Sequence, residues 1–530
     1  MIPDDASGPI HARFRQVAAE RGDAIAVFES PCGLSFAELD RASDALAAAL
    51  AGDGIQPGDR VALLCPNGSP FVVAYLGILK SGATVVPLNL LLNPRELGYI
   101  LADSGARGLI HHQSFDAVAA AATAGLALHP RVRIGEGTCP GQRAFAESIR
   151  QPGVPPSLGG QRSESIAAIL YTSGTTGYPK GAMLSHRNLT ANAAGIAQAL
   201  GFASSDRVLT VLPMFHAFAA TVGMLAPLLT GCGLIPVPRF DPKGVSQAIA
   251  AHQATIFLGV PSMFGLLLRL DEAAVAAWSS VRACVSGGAA MPAAVMAAFE
   301  RRFGVPVLEG DGPTECSPVT CVNPLSGVRK PGSVGLPIPG VEMRILDSEG
   351  RELPDGTPGE VCVRGPNVMA GYYRLPEATR EAFHGDWFRT GDLGTRDADG
   401  YFYLVDRIKD LIIVNGMNVY PRVVEEVLYA HPAVAEAAVV GDPDPRHGEV
   451  PVAHLALKPG AAVTPAQLRD WCRERLGRHE VPRRFSFCDA LPRNAAGKIL
   501  KRELRRSGEA ERGVTVPPDG ADPASLDPAG

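Results

Sequence analysis

The residues of this chain best suited to chemistry stand in one run, Tyr171-Thr-Ser-Gly-Thr-Thr-Gly-Tyr-Pro-Lys-Gly-Ala-Met183. Glycines let backbone N–H groups crowd a ligand, hydroxyls add donors, and Lys180 supplies a point charge, so the run is built to hold phosphate oxygens. It follows the apolar segment Ile166-Ala-Ala-Ile-Leu170, whose composition predicts a short buried strand leading into a loop. The run is not a Walker A sequence, because Lys180 stands between Pro179 and Gly181 rather than before a Ser or Thr opening a helix. A flexible Gly/Ser/Thr linker is the plain alternative, and the ordered Pro179-Lys180-Gly181 ending argues against it.

Further segments carry polar groups in Gly- or Pro-rich surroundings. They are Leu212-Pro-Met-Phe-His216-Ala-Phe218, Ser286-Gly-Gly-Ala289, Gly310-Asp-Gly-Pro-Thr-Glu315, Thr390-Gly-Asp392 with Asp406-Arg407, and Pro492-Arg-Asn-Ala-Ala-Gly-Lys498-Ile-Leu-Lys501. Taken singly, each has a bland reading: a core histidine, tight turns, a surface Arg–Asp pair, a solvated lysine in a basic stretch. Taken with the phosphate-type loop and in this order, from about Leu34 to about Leu504, they resemble the adenylate-forming superfamily. That superfamily comprises acyl-CoA synthetases, peptide-synthetase adenylation domains and firefly-type luciferases.

The resemblance implies an α/β fold: a large N-terminal domain of two α/β subdomains and a small β-subdomain, then a small mobile α+β domain. It implies that a carboxylate attacks the α-phosphate of ATP and expels pyrophosphate, and that the acyl group of the acyl-AMP then passes to CoA with release of AMP. Two anions must meet in such a step, so positive charge is needed where they approach. Lys498 is the candidate for that charge, and His216 for guiding the carboxylate or pyrophosphate. ATP and AMP would be held by Thr172, Ser173, Gly174, Thr175, Thr176, Gly177 and Lys180, and by Gly288, Ala289, Gly310, Asp311, Gly312 and Thr314. Asp392 and Arg407 would take the ribose, since a carboxylate accepts two hydrogen bonds from a vicinal diol and a guanidinium adds a charged donor. Glu315 and Thr175 are the Mg2+ candidates, hard oxygen ligands of the kind this ion prefers.

One position departs from the family pattern. Asp311 stands where relatives usually carry an aromatic residue against adenine, a stack worth about 0.5–1.5 kcal/mol; the resemblance implies that the Ser286-Gly-Gly-Ala289 turn, which in relatives lies along the adenine, compensates.

For the acid, His216, Phe218, Val222, Gly223 and Gly287 are the pocket candidates, and Ala217–Gly223 offers no Asp to pair with a substrate amine. A medium- or long-chain fatty acid is the first expectation and an aryl acid the second. Lys409 falls at the family's hinge position, and Asn415 and Gly416 on the strand that lines the CoA tunnel after the small domain rotates. Loading of an acyl carrier protein instead of CoA stays open, as does a homodimer. A nucleotide-binding scaffold without catalysis is the reading from another class. Retention of Lys180, Glu315, Asp392, Arg407 and Lys498 argues against it.

The elements that must position these residues are legible as alternating signals. Ser35–Leu50 has helical spacing with Ser35 as N-cap, Arg60–Cys65 and Gly82–Leu88 read as strands, and Phe71–Lys80 as a helix between them, the pattern of a mainly parallel sheet. Val341–Leu346 and Gly359–Arg364 read as short strands of a β-subdomain, and Pro421 opens a helix beyond the boundary near Arg407–Lys409. The expected domains are residues 1–408, 409–506 and a disordered tail over 507–530.

With 530 residues, 46% hydrophobic and 19% charged, the chain has ordinary globular composition and room for several cores. A net charge of −5 speaks against a dedicated nucleic-acid binder. Ten cysteines without a C-x-x-C pair read as core thiols of a reducing compartment, and the acidic N-terminus is unlike a signal peptide. With no apolar run long enough to span a bilayer, the expected location is the cytoplasm.

Overall fold

The computed structural model describes residues 8–30, 33–137, 139–150, 152–158, 161–172, 179–494 and 497–505. The helix Phe36–Gly52 begins at Ser35, whose side chain accepts from the Glu38 N–H while Glu38 bonds back to the Ser35 N–H. Its buried stripe of Phe36, Leu39, Leu46 and Leu50 faces the core, and Leu46 packs on Gly77 of the next helix, Ser69–Lys80. Strands Arg60–Leu64, Thr84–Pro87, Gly108–His112 and Arg131–Ile134 run parallel. The first three are buried on both faces, as a sheet covered by helices requires.

These strands belong to an eight-stranded sheet whose other end holds the phosphate-type run. Strand Ile166–Thr172 enters and strand Lys180–Ser185 returns antiparallel, with Thr172 opposite Lys180; residues 173–178 between them lie outside the described residues. The sheet is completed on that side by Gly371–Tyr372, a two-residue strand from far along the chain, with Tyr372 opposite Ala182.

A second, nine-stranded sheet carries four adjacent parallel strands: Arg207–Thr210, Ile256–Gly259, Ala283–Ser286 and Val307–Asp311. Between the first two lies a π-helix, Ala219–Leu225, whose residues are all buried. A third sheet of five antiparallel strands includes Glu342–Leu346, Gly359–Arg364, Trp387–Arg396 and Phe402–Arg407.

By packing, the chain divides into two compact units: Met1–Ile408 with Ala495–Lys498, and Lys409–Asn494 with Ile499–Gly530. The second unit is a five-stranded sheet with helices Pro421–Tyr429 and Pro465–Arg473. Val424, Leu428, Leu468 and Cys472 of these helices share one core with Ile412, Val439 and Leu455 of the sheet. Proline at the start of each helix costs nothing, because that N–H has no intrahelical partner. Among the described residues, no helix is long and apolar enough to cross a membrane. The expected tail over residues 507–530 lies outside the described residues.

Candidate active site

The four adjacent parallel strands of the second sheet place their carboxyl ends side by side, the edge at which open α/β sheets bind ligands. Leu212–Phe218 follows the first of these strands, Gly287–Ala289 follows the third, and Gly310–Glu315 closes the fourth. Three segments drawn from a stretch between Leu212 and Glu315 thus meet at one edge.

Phe218 lies over Gly287: a Cβ built on Gly287 would sit 3.3 Å from the Phe218 ring and 3.4 Å from the Gly310 carbonyl oxygen. Gly288 and Ala289 are exposed in the bend just beyond. Val222 is wholly buried in the π-helix, and Gly223 backs onto Thr210, whose hydroxyl donates to the Gly223 carbonyl at 3.0 Å. π-Turns of this kind leave a helix locally widened and recur at functional sites.

His216 is half-buried, and its Nδ1 accepts the Phe218 N–H at 3.3 Å. Burial pulls its pKa down to about 4, and the positive charge of Lys498 pushes the same way. The ring is therefore neutral at physiological pH and carries its proton on Nε2. Lys498 itself is exposed and groups with the first unit.

The loop bearing His216 is held by a residue that sequence reasoning passed over. Asn67, nine-tenths buried, accepts the Met214 N–H at 2.8 Å and donates to the carbonyls of Leu212 at 2.9 Å and Val237 at 3.0 Å. One amide from the connection after a strand of the first sheet thereby fixes the loop that leaves the second. The only local signal is an Asn-Gly pair between a strand and a helix, which reads as a turn.

Gly310–Glu315 is fastened from several sides. Asp311 pairs with Cys321, and its carbonyl accepts both the Thr320 N–H and the Thr320 hydroxyl at 2.9 Å. Gly312 has no room for a side chain, since a Cβ there would run into the Pro318 carbonyl. Thr314 and Glu315 form a single 3-10 turn. Behind that turn, the buried amides of Asn192 and Asn367 donate to the carbonyls of Val319, at 2.6 Å, and Cys316, at 3.0 Å.

Tyr372 joins this turn to the phosphate-type hairpin. Its hydroxyl donates to Glu315 Oε1 at 2.9 Å, and Lys180 Nζ stands 5.1 Å from its ring centroid, a cation–π contact. Lys180 begins the returning strand of the hairpin and Thr172 ends the entering one. Ser173, Gly174, Thr175, Thr176 and Gly177 lie outside the described residues, so the Mg2+ expectation at Thr175 does too. Glu315 by itself fits a hard divalent cation: it is a part-exposed carboxylate, and such ions bind through one or two carboxylates plus substrate phosphates.

Asp392 and Arg407 face each other across adjacent antiparallel strands, Nε to Oδ1 at 2.6 Å. Burial pushes the Asp392 carboxyl up to about 6 against the lowering influence of Arg407, and the negative charge of Asp311 adds to the rise. The turn before it is anchored by Glu360, which takes Arg389 Nε at 2.9 Å and the Gly391 N–H at 3.1 Å. Asp311 and Asp392, from different sheets, are thus near enough to feel one another.

In the second unit, Asn415 and Gly416 are not within a strand, as the sequence reading places them. They form the two-residue turn between strands Ile412–Val414 and Met417–Val419, both with positive φ (52° and 79°). This is the Asn-Gly turn whose twist suits a tight hairpin. His447 fixes its first residue, its carbonyl accepting the Asn415 N–H at 2.8 Å. Lys409 lies in the short turn Ile408–Asp410, at the division between the units.

With this geometry in hand, comparisons with known proteins fall into one group. Residues 14–373 match the AMP-binding enzyme model, and residues 423–498 match the AMP-binding enzyme C-terminal domain. A feruloyl-CoA synthase of Amycolatopsis sp is 40% identical over 91% of this chain and 96% of its own length. A long-chain-fatty-acid–CoA ligase of Escherichia coli O6:H1 is 36% identical over 93% of each chain. The crystal structure of the anthranilate CoA ligase AuaEII with anthranoyl-AMP superposes with a TM-score of 0.90 at 32% identity, over 96% of this chain and 98% of that one.

Proposed function

The chain belongs to the AMP-binding enzyme family of acid–thiol ligases, and from that premise we propose that it activates an apolar aryl acid. As a family member it is an acid–CoA ligase that uses ATP and Mg2+ and works through an acyl-AMP. The finer assignment is the acid. The observation behind it is the Phe218 ring lying over Gly287 beside a neutral His216, a flat apolar surface against which a planar acid can stack. The relative at 40% identity, named a feruloyl-CoA synthase, supports the same class.

In this reading Lys498 neutralises the carboxylate and α-phosphate oxygens, and neutral His216 donates from Nε2 toward the incoming anion without adding charge to the pocket. Arg407 and Asp392 take the ribose, Lys180 the phosphates, and Glu315 the Mg2+. The metal supplies charge neutralisation on the phosphates when bound. Lys409 is the hinge, and the Asn415-Gly416 turn admits the CoA thiol. A medium- or long-chain fatty acid is the second reading, favoured by the π-helix Ala219–Leu225, apolar but for Thr221, and by the long-chain ligase at 36% identity.

The test is pyrophosphate release with Mg-ATP over a panel of cinnamic, benzoic and C8–C18 fatty acids, each with and without CoA. CoA-dependent turnover confined to the aryl acids is expected. Preference for the fatty acids would replace the first reading by the second. Release that ignores CoA would move the acceptor to a carrier protein.

A further inference from the structure

The segment 367–373 touches both halves of the anion site. Asn367 Nδ2 donates to the Cys316 carbonyl and the Met369 N–H to the Glu315 carbonyl at 2.7 Å, which fastens it to the 3-10 turn. The Ala370 N–H donates to the Met183 carbonyl at 2.9 Å and the Tyr373 N–H to the Gly181 carbonyl at 2.7 Å, which fastens it to the returning strand of the hairpin. Tyr372 sits between these anchors with its backbone opposite Ala182 and its hydroxyl on Glu315.

A carboxylate that accepts a hydrogen bond on one oxygen has its rotation about the terminal bond restricted and offers the other oxygen outward. Glu315 Oε1 takes the Tyr372 hydroxyl at 2.9 Å, which leaves Oε2 for a cation. The same ring carries Lys180 Nζ on its face, so the spacing between the hairpin's cation and the turn's anion is set through one side chain. We propose that Tyr372 is a positioning residue for the divalent cation, orienting Glu315 for one-oxygen ligation and holding Lys180 in register with it. This rests on the reading of Glu315 as a ligand of the metal that accompanies ATP. Partners of this sort, which orient a ligand rather than ligate, typically matter to metal affinity by about 10–100-fold.

The experiment is Mn2+ binding, followed by electron paramagnetic resonance, to the full-length protein holding α,β-methylene-ATP, for wild type, Tyr372→Phe, Tyr372→Leu and Glu315→Gln. Tyr372→Phe keeps the ring and its packing, and its Mn2+ dissociation constant is expected to rise about tenfold. Affinity for the nucleotide without metal should stay at the wild-type value, a split that simple loss of folding does not give. Tyr372→Leu should weaken both, because Lys180 then loses its support as well. Unchanged Mn2+ affinity in Tyr372→Phe, with Glu315→Gln impaired, overturns the proposal alone. Unchanged affinity in Glu315→Gln overturns the ligand reading and the proposal together.

Discussion

Asp392 Oδ1 and Arg407 Nε stand 2.6 Å apart across two neighbouring strands, yet the carboxyl titrates above its ordinary range. An ion pair of that length lowers a carboxyl pKa when water is present on both sides. Here the Asp392 side chain is only 11% exposed, and its loss of hydration, with Asp311 nearby, outweighs the guanidinium.

The sign of the resulting pH effect follows directly. The folded protein binds the Asp392 proton more tightly than the unfolded chain, so this group's contribution to stability is full below about 3.8 and is lost as pH rises through about 6. Nucleotide binding should run the opposite way, because an ionised carboxylate accepts hydroxyl hydrogen bonds more strongly than a neutral acid. Calorimetric titration with AMP between pH 5 and 7.5 is expected to show affinity rising through about pH 6. Asp392→Asn should flatten the profile, and a wild-type profile that is already flat rejects the ribose assignment.

Lys498→Ala should lower acyl-AMP formation by about 10²–10³-fold, the loss typical of removing one charge-stabilising donor. Thioester formation from supplied acyl-AMP should persist near the wild-type rate. Single-turnover assays of each half-reaction measure both, and equal losses would remove Lys498 from its assigned role.

Gly416 predicts the converse pattern. A Cβ at this position meets nothing within 4 Å, so Gly416→Ala costs only the left-handed backbone, about 1–2 kcal/mol, and should leave both half-reactions working. Gly416→Trp fills the space above the turn and should block transfer to CoA while acyl-AMP still forms. Normal CoA turnover in the Trp variant contradicts the assignment of this turn to the thiol path.

Asn67→Leu removes the acceptor of the Met214 N–H and the donor to the Leu212 carbonyl, both buried, and the donor to the partly buried Val237 carbonyl. Each group left unpaired costs about 1–3 kcal/mol. The expected result is a lower thermal midpoint and a raised KM for the acid, measured by scanning fluorimetry and pyrophosphate release. An unchanged KM would confine Asn67 to stability.

Much of the frame was readable before any coordinates. The strand predicted at Ile166–Leu170 runs Ile166–Thr172, the strand predicted at Gly359–Arg364 spans those residues, and Ser35 caps its helix as its spacing implies. Local chemistry settles such elements: apolar runs, capping residues and turn formers act within a few positions. Tyr372, Asn67, Glu360 and the Asn192–Asn367 pair were not readable, because their partners lie 29 to 147 residues away. A tyrosine or an amide carries no local sign of a distant carboxylate or carbonyl. The Asn415-Gly416 turn is a different kind of miss. The dipeptide is the strongest short hairpin signal there is, and the apolar residues around it made one strand of two.

The short strand Gly371–Tyr372 has a further consequence, for birth rather than for catalysis. Until it arrives, Lys180–Ser185 is an open edge of the first sheet, with unpaired backbone groups able to template another chain. At common translation speeds the residues that seal it leave the ribosome roughly 10–40 s after the edge itself. A nascent chain of this protein therefore carries a sticky border while the four strands from Arg207–Thr210 to Val307–Asp311 of the second sheet are made, and that interval is when a chaperone would have most to protect.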